Sequence, residues 1–356
     1  MSQPAHTHTI GVAMSGGVDS TVVAGQLLAQ GHTVHGFYML LPLAGVEEQV
    51  RKVKKVAAQL DIPLHIIDLG SQFTDAVIST FINAYRNGLT PNPCVICNEH
   101  IKCGQLLDAV TDQGMEYMAT GHYAQIKQQN GDIRLHRGID PIKDQSYFLC
   151  RLQKEQLSRL ILPLGSMEKK DVFQQAAAMG FTQFNGQESQ DVCFLQQQTL
   201  PLFLQSKGVK AECGDITTKS GKILGQHQGI WQYTVGQRRG LGLPDATPWY
   251  VTRLDPLTNR VIVGKNDELF QRTVLLCSVQ WAIPEPVKWC GRVQLRSRHQ
   301  AASASVSATA QGEWQALFDE PQRAITPGQF AVFYDDDSVA GSGIIQPSPA
   351  VEALQL

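Results

Sequence analysis

Short apolar runs alternate with amphipathic segments through the first third of the chain. The runs at 9–14, 33–39, 64–68 and 115–120 have the length and the bounding turns of buried strands. The segments between them place apolar residues at helical spacing, which predicts helices over about 20–30, 46–60 and 73–86 and a further helix that ends near 112. Strands separated by helices of this length predict a parallel sheet with right-handed crossovers.

Two changes of pattern divide the rest of the chain. Residues from about 145 to 205 are predicted to form helices and loops. Beyond about 206, alternating β-branched and aromatic stretches lie between Gly and Pro turns, which is typical of small β-barrels or sandwiches. A break near 270 separates two such regions. The predicted domains are therefore 1–205, with a helical part at about 145–200, then 206–270 and 271–356.

A glycine-rich hexapeptide, SGGVDS, follows the first predicted strand directly and occupies 15–20. Its glycines let the backbone turn sharply and approach an anion, and the helix that follows adds aligned amides. Asp19 could hold Mg²⁺ or cap that helix. The loop is neither a Walker A motif nor a G-x-G-x-x-G fingerprint. The alternative is an ordinary strand–helix turn, but the complete hexapeptide at this position favours a phosphate loop.

Composition and charge narrow the class of protein. Of the 356 residues, 43% are hydrophobic and 17% are charged, which excludes a mostly disordered chain. The formal net charge is −2, so a nucleic-acid partner would have to be held by a local basic surface. No apolar run approaches the roughly 18 residues of a membrane span, and the start of the chain shows no secretory signal. The chain is therefore predicted to be cytoplasmic, without a membrane partner.

Cysteine is the unusual residue type. The chain has 8 cysteines, and three of them, Cys94, Cys97 and Cys103, cluster in the sequence. In a cytoplasmic chain of this length we expect free thiols, metal ligands or catalytic groups, and not a disulfide framework. Taken alone, Cys97 could equally be a structural thiol at a helix start, and Cys193 a small buried residue beside Phe194.

Six further motifs then occur in a fixed order along the chain. They are TPNPCVICN at 90–98, TGHYA at 120–124, KDQSYFL at 143–149, ESQDVCF at 188–194, YTVGQRRGLG at 233–242 and TPGQFAVFY at 326–334. SGGVDS itself resembles the pyrophosphate loop of the N-type ATP pyrophosphatases, the PP-loop superfamily. Together the motifs closely resemble the tRNA-specific 2-thiouridylase family, and the resemblance runs from about residue 9 to about 345.

The resemblance implies an α/β fold. Its first part would be a parallel-sheet PP-loop domain, adenine nucleotide alpha hydrolase-like, with a helical extension that grips tRNA, and two small β-barrel-like domains would follow. The implied enzyme is an ATP-dependent sulfurtransferase that thiolates C2 of the wobble uridine in tRNAs for Lys, Glu and Gln. The C2 oxygen would be adenylated, AMP and pyrophosphate would leave, and a cysteine persulfide would deliver sulfur. ATP, Mg²⁺ and an upstream sulfur donor protein, a desulfurase or relay, are implied partners.

The family's functional residues fall on matching positions of this chain. ATP binding falls on Ala13, Met14, Ser15, Gly16, Gly17, Val18, Asp19, Ser20, Met39 and Gly121. Cys97 falls on the nucleophile and Cys193 on the cysteine that carries the persulfide, and a disulfide between the two would form as sulfur is released. Asn92, Pro93 and Cys94 occupy the loop that meets the target base. The positions implied to contact tRNA are His122, Lys143, Asp144, Gln145, Arg296, Ser297 and Gln329.

One departure from the family opens an alternative chemistry. Cys94 stands where family members commonly have an acidic residue, which creates a C-x-x-C pair with Cys97. Three thiolates, from Cys94, Cys97 and Cys193, could hold a [4Fe-4S] cluster with one iron left open for a sulfide. A cluster-dependent thiolase, acting on this or another RNA position or on a small molecule, is therefore the enzyme alternative, ranked slightly below persulfide chemistry. The other alternative is a sulfur-relay or tRNA-binding protein without turnover, against which the intact SGGVDS loop argues.

Overall fold

A computed structural model of the chain describes residues 7–129, 131–184, 192–195 and 198–348. The chain divides into two compact units. The first consists of Met1–Ile78, Pro93–Gln196 and Asp337–Val339, and the second of Ser79–Asn92, Gln197–Asp336 and Ala340–Leu356. The domain boundaries at 205/206 and 270/271 remain predictions. Among the described residues, no helix has the length and apolar character that crossing a membrane requires.

The elements up to the second unit's main body follow in chain order. They are β1 Thr9–Ala13, α1 Val18–Ala29, β2 Thr33–Leu40, α2 Val46–Gln59, β3 Leu64–Asp68, α3 Gly70–Phe73, a π-helical turn Thr74–Ile78, α4 Ser79–Arg86, α5 Pro93–Ile96, a π-helix Cys97–Gln105, α6 Leu106–Asp112, β4 Tyr117–Ala119, β5 Ala124–Gln129, β6 Asp132–Arg137, a 3₁₀ turn Ser146–Leu149, α7 Lys154–Leu157, β7 Leu160–Ile161, a 3₁₀ turn Pro163–Ser166, α8 Lys169–Ala178, a 3₁₀ turn Cys193–Leu195 and α9 Leu200–Ser206. Of these, α4 and α9 belong to the second unit.

The first unit is built on a five-stranded sheet of order β3-β2-β1-β4-β7. All four neighbouring pairs are parallel. The predicted parallel sheet is therefore confirmed, and its first four strands match the four apolar runs of the sequence. β1 lies in the middle and is buried at its three central positions. The carboxyl ends of β1, β2 and β4 meet at one edge, which is where ligands bind on sheets of this kind.

Helix α1 is buried along most of its length because it lies over the sheet. Its buried side chains include Val22, Val23 and Leu27, which join Ile10 and Val12 of β1 in one hydrophobic core. Helix α8 adds Val172 to the same core. α2 carries charge on its outer face and buries only Val53, Val56 and Ala57, as its amphipathic sequence predicts.

The region 124–184 contains more strand than the sequence indicated. β5 and β6 form an antiparallel hairpin, and β7 adds a fifth strand to the sheet beside β4. The helices between 145 and 200 are correspondingly short, and α8 is the longest of them among the described residues. Residues 185–191 of the ESQDVCF region lie outside the described residues, whereas Cys193 lies within them.

The second unit contains the remaining strands, which form two sheets. They are β8 Gly214–Thr218, β9 Ile223–His227, β10 Tyr250–Asp255, β11 Arg260–Gly264, β12 Phe270–Trp281, β13 Lys288–Gln294, β14 Ala302–Ala308, β15 Trp314–Arg323, β16 Phe330–Asp335 and β17 Ser338–Ile345. Short 3₁₀ turns lie at Ile230–Gln232 and Asn266–Leu269. The first sheet has the order β10-β11-β8-β9 and encloses a small core around Val251 and Val261.

Six strands of the second sheet close into a barrel. They follow the order β12-β15-β14-β13-β16-β17, and β12 pairs again with β17, so the barrel has no open edge. Alternate side chains such as Val293, Val306 and Phe333 fill its interior. The predicted fold class, a parallel α/β domain followed by small β-barrel regions, is confirmed.

Candidate active site

The phosphate loop lies between the end of β1 and the start of α1. Gly16 has φ +75°, a left-handed conformation that favours glycine, and a Cβ there would stand 3.3 Å from the backbone nitrogen of Val53. The Ser20 hydroxyl holds the turn, because it accepts from the Ser15 amide at 3.2 Å and donates to the Gly17 carbonyl at 3.2 Å. The side chain of Gln49, which lies on α2, donates a hydrogen bond to the Ser15 carbonyl. The loop is thus fixed before any anion arrives.

The start of α1 is suited to an anion. Gly17 precedes the helix, and no side chain of the described residues caps it. Its first amides are therefore left for a ligand, with the positive end of the helix dipole behind them. Asp19 lies in this first turn but does not cap the helix, so that part of the sequence-based interpretation is wrong. Its carboxylate is instead engaged by two other side chains.

Asp19 is held by a cation and a phenol. The Lys169 ammonium donates to both of its carboxylate oxygens, at 2.7 and 2.8 Å, and the Tyr123 hydroxyl donates to Oδ1 at 2.7 Å. Lys169 is 8% exposed, and its Nζ lies 5.4 Å from the centre of the Tyr123 ring. A cation this deeply buried requires a charged partner, so the Lys169–Asp19 ion pair is part of the folded structure of the loop.

Gly121 brings the end of β4 against the same helix turn. A Cβ at this position would lie 2.8 Å from Asp19 Cβ and 3.2 Å from the Ser20 amide nitrogen. Only glycine fits at that spacing. Met39, the remaining predicted ATP position, lies near the carboxyl end of neighbouring β2. The structure thus brings the predicted ATP residues to one edge of the sheet, where the glycines leave room for phosphates.

Cys97 begins the nine-residue π-helix Cys97–Gln105 and is buried. A π-helix bonds each N–H to the carbonyl five residues back, so residues about four to five apart share a face, and such segments recur at functional sites. The winding therefore brings Lys102 to the side of Cys97. The Gln156 side chain supports the segment by donating to the Glu99 carbonyl at 2.9 Å and to the Cys103 carbonyl at 2.7 Å.

Cys193 and Cys94 are the other two cysteines of the predicted site. Cys193 opens a 3₁₀ turn and is half-buried, and Cys94 is exposed on α5. The neighbouring Phe194 holds that turn against Phe73, with ring centres 6.0 Å apart. Cys193 is therefore not the fully buried small residue that one interpretation of the sequence allowed.

The ionisation of these thiols is set by burial and by one lysine. Burial raises the pKa of Cys97 to about 11, Lys102 opposes the rise, and Cys193 and Cys94 add to it. Burial also raises the pKa of Cys193, Cys94 adds to the rise, and Lys102 again lowers it. Lys102 supplies a nearby positive charge, but burial outweighs it, so the thiols rest protonated at neutral pH.

The grouping of the three thiols bears on the cluster alternative. Cys94, Cys97 and Cys193 are close enough to influence one another's ionisation. Within the described ranges, however, no three His, Cys, Asp or Glu side chains are grouped so that they could hold a metal ion. A [4Fe-4S] cluster needs thiolates that converge on its irons, so this arrangement does not favour the cluster alternative.

Three predicted RNA-contact residues of the first unit, Lys143, Asp144 and Gln145, lie in a hydrogen-bonded segment after the β5–β6 hairpin. The Asp144 carboxylate accepts from the Arg137 side chain at 2.7 Å and from the Ser146 amide and hydroxyl, each at 3.0 Å. Gln145 exchanges hydrogen bonds with the Tyr123 backbone, at 2.8 and 2.9 Å. Both side chains therefore shape the segment that carries the half-buried Lys143.

His122 is buried, and its Nδ1 shares a 2.8 Å hydrogen bond with the Thr120 hydroxyl. Burial, with a further contribution from Lys102, lowers the pKa of His122 to about 3. The ring is therefore neutral at physiological pH and offers no positive charge to a phosphate. Lys102 thus acts electrostatically on both the thiols and His122, the residue that directly follows Gly121.

Other predicted RNA-contact residues belong to the second unit. The Gln329 side chain donates to the Thr90 carbonyl at 2.7 Å, which fixes the chain just before Asn92. Arg296 and Ser297 are exposed on the turn after β13. Pro93 returns to the first unit, where it is buried at the start of α5. The roles of these residues remain predictions.

Three site residues were absent from the sequence interpretation: Lys102, Tyr123 and Lys169. Tyr123 stood inside the TGHYA motif, so a signal for it existed. Lys169 opens α8 in a run of two lysines, where nothing in the sequence distinguishes it from the exposed Lys170. Lys102 could have been found only by expecting π-helical winding after Cys97, because in an α-helix the fifth residue along lies on another face.

Comparison with known families matches the chain in three consecutive parts. The profile of the tRNA methyl transferase HUP domain matches residues 8–197, that of the tRNA methyl transferase PRC-barrel domain matches 202–265, and that of the aminomethyltransferase beta-barrel domain matches 271–345.

Curated relatives are similar over nearly the whole chain. The tRNA-specific 2-thiouridylase MnmA of Desulfotalea psychrophila is 49% identical over 339 residues, which cover 94% of this chain and 98% of the relative. The protein of the same name from Trichlorobacter lovleyi is 42% identical over 349 residues, covering 96% and 99%. That from Syntrophotalea carbinolica is 42% identical over 343 residues, covering 94% and 97%.

Proposed function

The chain belongs to the tRNA-specific 2-thiouridylase family, and we propose that it uses ATP and a cysteine persulfide to replace O2 of the wobble uridine with sulfur. The resemblance noted from the motifs is confirmed by the relatives. The enzyme is a tRNA sulfurtransferase that acts on uridine and uses ATP. The wobble position, the persulfide and the residue roles are the finer parts of the proposal.

One observation carries the proposal. The Lys102 ammonium acts on the ionisation of Cys97 and of His122. His122 follows Gly121 directly, and Gly121 lies against Asp19 of the phosphate loop. These two links support a single site that holds both the thiols and the phosphate loop, which is what consecutive adenylation and sulfur transfer require.

In the first half of the reaction, O2 of the uridine attacks the α-phosphorus of ATP and pyrophosphate leaves. Phosphoryl chemistry of this kind depends mainly on positioning and on stabilising charge. The backbone amides at the start of α1 and the glycines Gly16, Gly17 and Gly121 supply that cradle. O2 of the uridine, which by itself is a poor leaving group, thereby becomes part of AMP, which is a good leaving group.

Mg²⁺ would bind in the same cradle. Both oxygens of Asp19 accept from Lys169, so this carboxylate is not a free ligand. Mg²⁺ in nucleotide sites is held by one or two carboxylates together with substrate phosphates. We infer that the phosphates of ATP would provide most of the ligands of Mg²⁺ here. Its chemistry there would be to neutralise phosphate charge.

In the second half, the terminal sulfur of a Cys193 persulfide attacks C2, and AMP leaves. The Cys97 thiolate then attacks Sγ of Cys193. The sulfur–sulfur bond breaks, its electron pair stays with the sulfur now double-bonded to C2, and a Cys97–Cys193 disulfide forms. Two cysteine thiols are thereby oxidised, and the transferred sulfur is reduced. A thiol reductant must restore the pair, and an upstream desulfurase or relay protein must reload Cys193.

The RNA partner is a tRNA of the Lys, Glu or Gln type, whose uridine must leave the anticodon stack for C2 to meet both phosphate and sulfur. Lys143 and its ordered segment would contact it in the first unit, and Arg296, Ser297 and Gln329 would do so in the second. Because the substrate is tRNA, the proposal places the enzyme in the cytoplasm.

The test is single-turnover thiolation of unmodified tRNA. Anaerobically purified enzyme is loaded with a persulfide donor and given ATP, and 2-thiouridine and AMP are quantified with iron and acid-labile sulfide. We expect one AMP per 2-thiouridine, no iron requirement and a Cys97–Cys193 disulfide. Cys97→Ser and Cys193→Ser should abolish thiolation, whereas Cys213→Ser, an exposed cysteine of the second unit, should not.

The outcome is decisive in either direction. Stoichiometric iron that is lost with Cys94 or Cys193, together with thiolation that requires it, would replace persulfide chemistry by a cluster-dependent reaction. Thiolation that persists in Cys193→Ser would remove that residue from the sulfur path. Adenylation without any sulfur transfer, even from a loaded donor, would point to a different second substrate.

A further inference from the structure

Asp19 is connected to the segment 138–146 by two separate chains of hydrogen bonds. We call residues 138–146 the bridge segment. It carries Lys143, Asp144 and Gln145, the positions proposed above to meet RNA. Asp19 lies in the phosphate loop. The two chains join an RNA-facing segment to the ATP site within one unit.

The first chain runs through Tyr123. Its hydroxyl donates to Asp19 Oδ1 at 2.7 Å. Its backbone amide donates to Oε1 of Gln145 at 2.9 Å, and the Gln145 amide donates back to the Tyr123 carbonyl at 2.8 Å. Tyr123 is 3% exposed, so a shift of Gln145 is transmitted to the phenol and not absorbed by solvent.

The second chain runs through Lys169. Its ammonium donates to both oxygens of Asp19, and its backbone amide donates to Oδ2 of Asp140 at 3.1 Å. The other Asp140 oxygen accepts from the amides of Ile142 and Lys143, at 3.0 and 3.2 Å. One carboxylate therefore sets both the conformation of the bridge segment and the start of α8.

The bridge segment is fixed at both ends and exposed in its middle. Asp144 accepts hydrogen bonds from Arg137 and Gly138 at its start and from the amide and hydroxyl of Ser146 at its end. Ile142 is 88% exposed beside Lys143, although its amide is held by Asp140. An exposed apolar side chain on an ordered turn presents a defined surface to a partner. An unpaired RNA base, which has an apolar face and polar edges, is a partner that fits such a surface.

We propose that Tyr123 and Lys169 are positioning residues that couple RNA docking on the bridge segment to the geometry of the phosphate loop. When RNA docks on the segment, it restrains Gln145 and Asp140, and through Tyr123 and Lys169 these residues hold Asp19 and the first turn of α1. ATP and tRNA then bind cooperatively, and ATP is not committed to adenylation in the absence of the uridine. The inference rests on the proposed function, because it takes tRNA as the partner of the segment.

The test measures the coupling directly. The dissociation constant of α,β-methylene-ATP, which cannot be cleaved at the α–β position, is measured by calorimetry with and without saturating unmodified tRNA. By linkage, the same ratio must appear in the tRNA dissociation constant with and without the nucleotide. We expect a ratio of about 5 or more in the unaltered enzyme, the lower end of typical allosteric couplings.

Two variants interrupt one chain each. Tyr123→Phe keeps the ring against Lys169 but removes the hydroxyl, and Asp140→Ala leaves the phosphate loop itself unchanged. In each, the ratio should fall at least about three-fold, since one hydrogen bond to a charged group carries a substantial part of such a coupling. Tyr117→Phe, a half-buried tyrosine of β4, and Lys170→Met, which removes the exposed neighbour of Lys169, should keep the unaltered ratio.

The outcomes separate this inference from the proposed function. If the unaltered enzyme thiolates tRNA but shows a ratio of one, or if both Tyr123→Phe and Asp140→Ala keep its full ratio, the coupling is overturned and the proposed function stands. If both variants lose nucleotide affinity equally with and without tRNA, the residues have a local structural role only, which also overturns it. If the unaltered enzyme binds no tRNA, the proposed function fails first.

Discussion

Replacing Gly121 by alanine tests whether the end of β4 forms one wall of the ATP site. The added Cβ would lie 2.8 Å from Asp19 Cβ and 3.2 Å from both the Asp19 carbonyl carbon and the Ser20 amide nitrogen. Two of these three neighbours are backbone atoms of the first helical turn, which cannot rotate away. The strand end and the phosphate loop must therefore separate.

The size of that separation follows from the contact. Carbon atoms are most stable at about 3.5–4.0 Å, so a pair at 2.8 Å must move apart by about 0.7 Å. Overpacking of a filled site costs about 1–3 kcal/mol. A displacement of about 1 Å at catalytic groups can reduce a rate about 100-fold. We therefore expect adenylation to fall about 10- to 100-fold with the fold retained.

The assay is AMP release in the presence of tRNA, with nucleotide affinity measured separately and circular dichroism as the control for folding. Gly70→Ala is the matched substitution, because its nearest neighbour is the end of the Asp68 side chain and not backbone. It should stay within about two-fold of the unaltered enzyme. If Gly121→Ala adenylates tRNA at the unaltered rate, β4 does not wall the nucleotide, and the site assignment at this edge is wrong.

Three further outcomes follow from burial and charge. Lys102→Met should slow the labelling of Cys97 by iodoacetamide several-fold at pH 8, because Lys102 lowers the pKa of that thiol and its loss reduces the thiolate fraction. Peptide mass spectrometry measures the labelling rate. Burial raises the pKa of Cys103 from 9.0 to about 12, so the unfolded thiol ionises first. The free energy of unfolding by urea should accordingly fall as pH rises from about 9 toward 12, and less so in Cys103→Ala. Gly165→Ala should lose about 3 kcal/mol or more in the same urea assay, because its Cβ would overlap the Ala124 carbonyl.

The sheet of the first unit was predictable because its strands carry their own signal. β1 is an apolar run buried at its centre, and β2 and β3 likewise fall on the predicted segments. The hairpin β5–β6 was not predicted, although Asn130-Gly131 in the sequence is a two-residue turn signal. Its strands are rich in Gln, Lys and Arg, so they lack the β-branched content on which the prediction relied.

The candidate site was predictable where a motif specifies backbone geometry. The glycines of SGGVDS and Gly121 follow from close approach of the backbone to another group, a requirement that the sequence expresses directly. The partners of Asp19 were not predictable, since Lys169 lies 150 residues away along the chain and meets it only after the sheet is assembled. Interactions set by tertiary packing leave no local pattern in the sequence.

The same distinction applies to the thiols, whose positions in the sequence predict chemistry but not ionisation. A cysteine pair in motifs predicts chemistry, but whether a thiol is ionised depends on what surrounds it. In this fold burial keeps Cys97 protonated, and the compensating charge of Lys102 comes from the π-helical winding of the same segment. A protonated resting thiol is protected from oxidation. It becomes a nucleophile only when its raised pKa is lowered, and a bound cation at the site would have that effect.

The phosphate loop and the thiol segment share one electrostatic feature, a single lysine that acts on the ionisable groups around it. The chain is slightly acidic overall, yet the proposed reaction brings phosphates, an acidic loop residue and sulfur nucleophiles to one edge of a sheet. Lys169 neutralises Asp19 before any nucleotide arrives, so the amides of α1 attract phosphate without competition from that carboxylate. Lys102 acts on the thiols and on His122. A low-dielectric interior strengthens the interactions of such fixed charges. Two lysines placed by folding can therefore stabilise negative charge at this edge, although the chain as a whole carries no net positive charge.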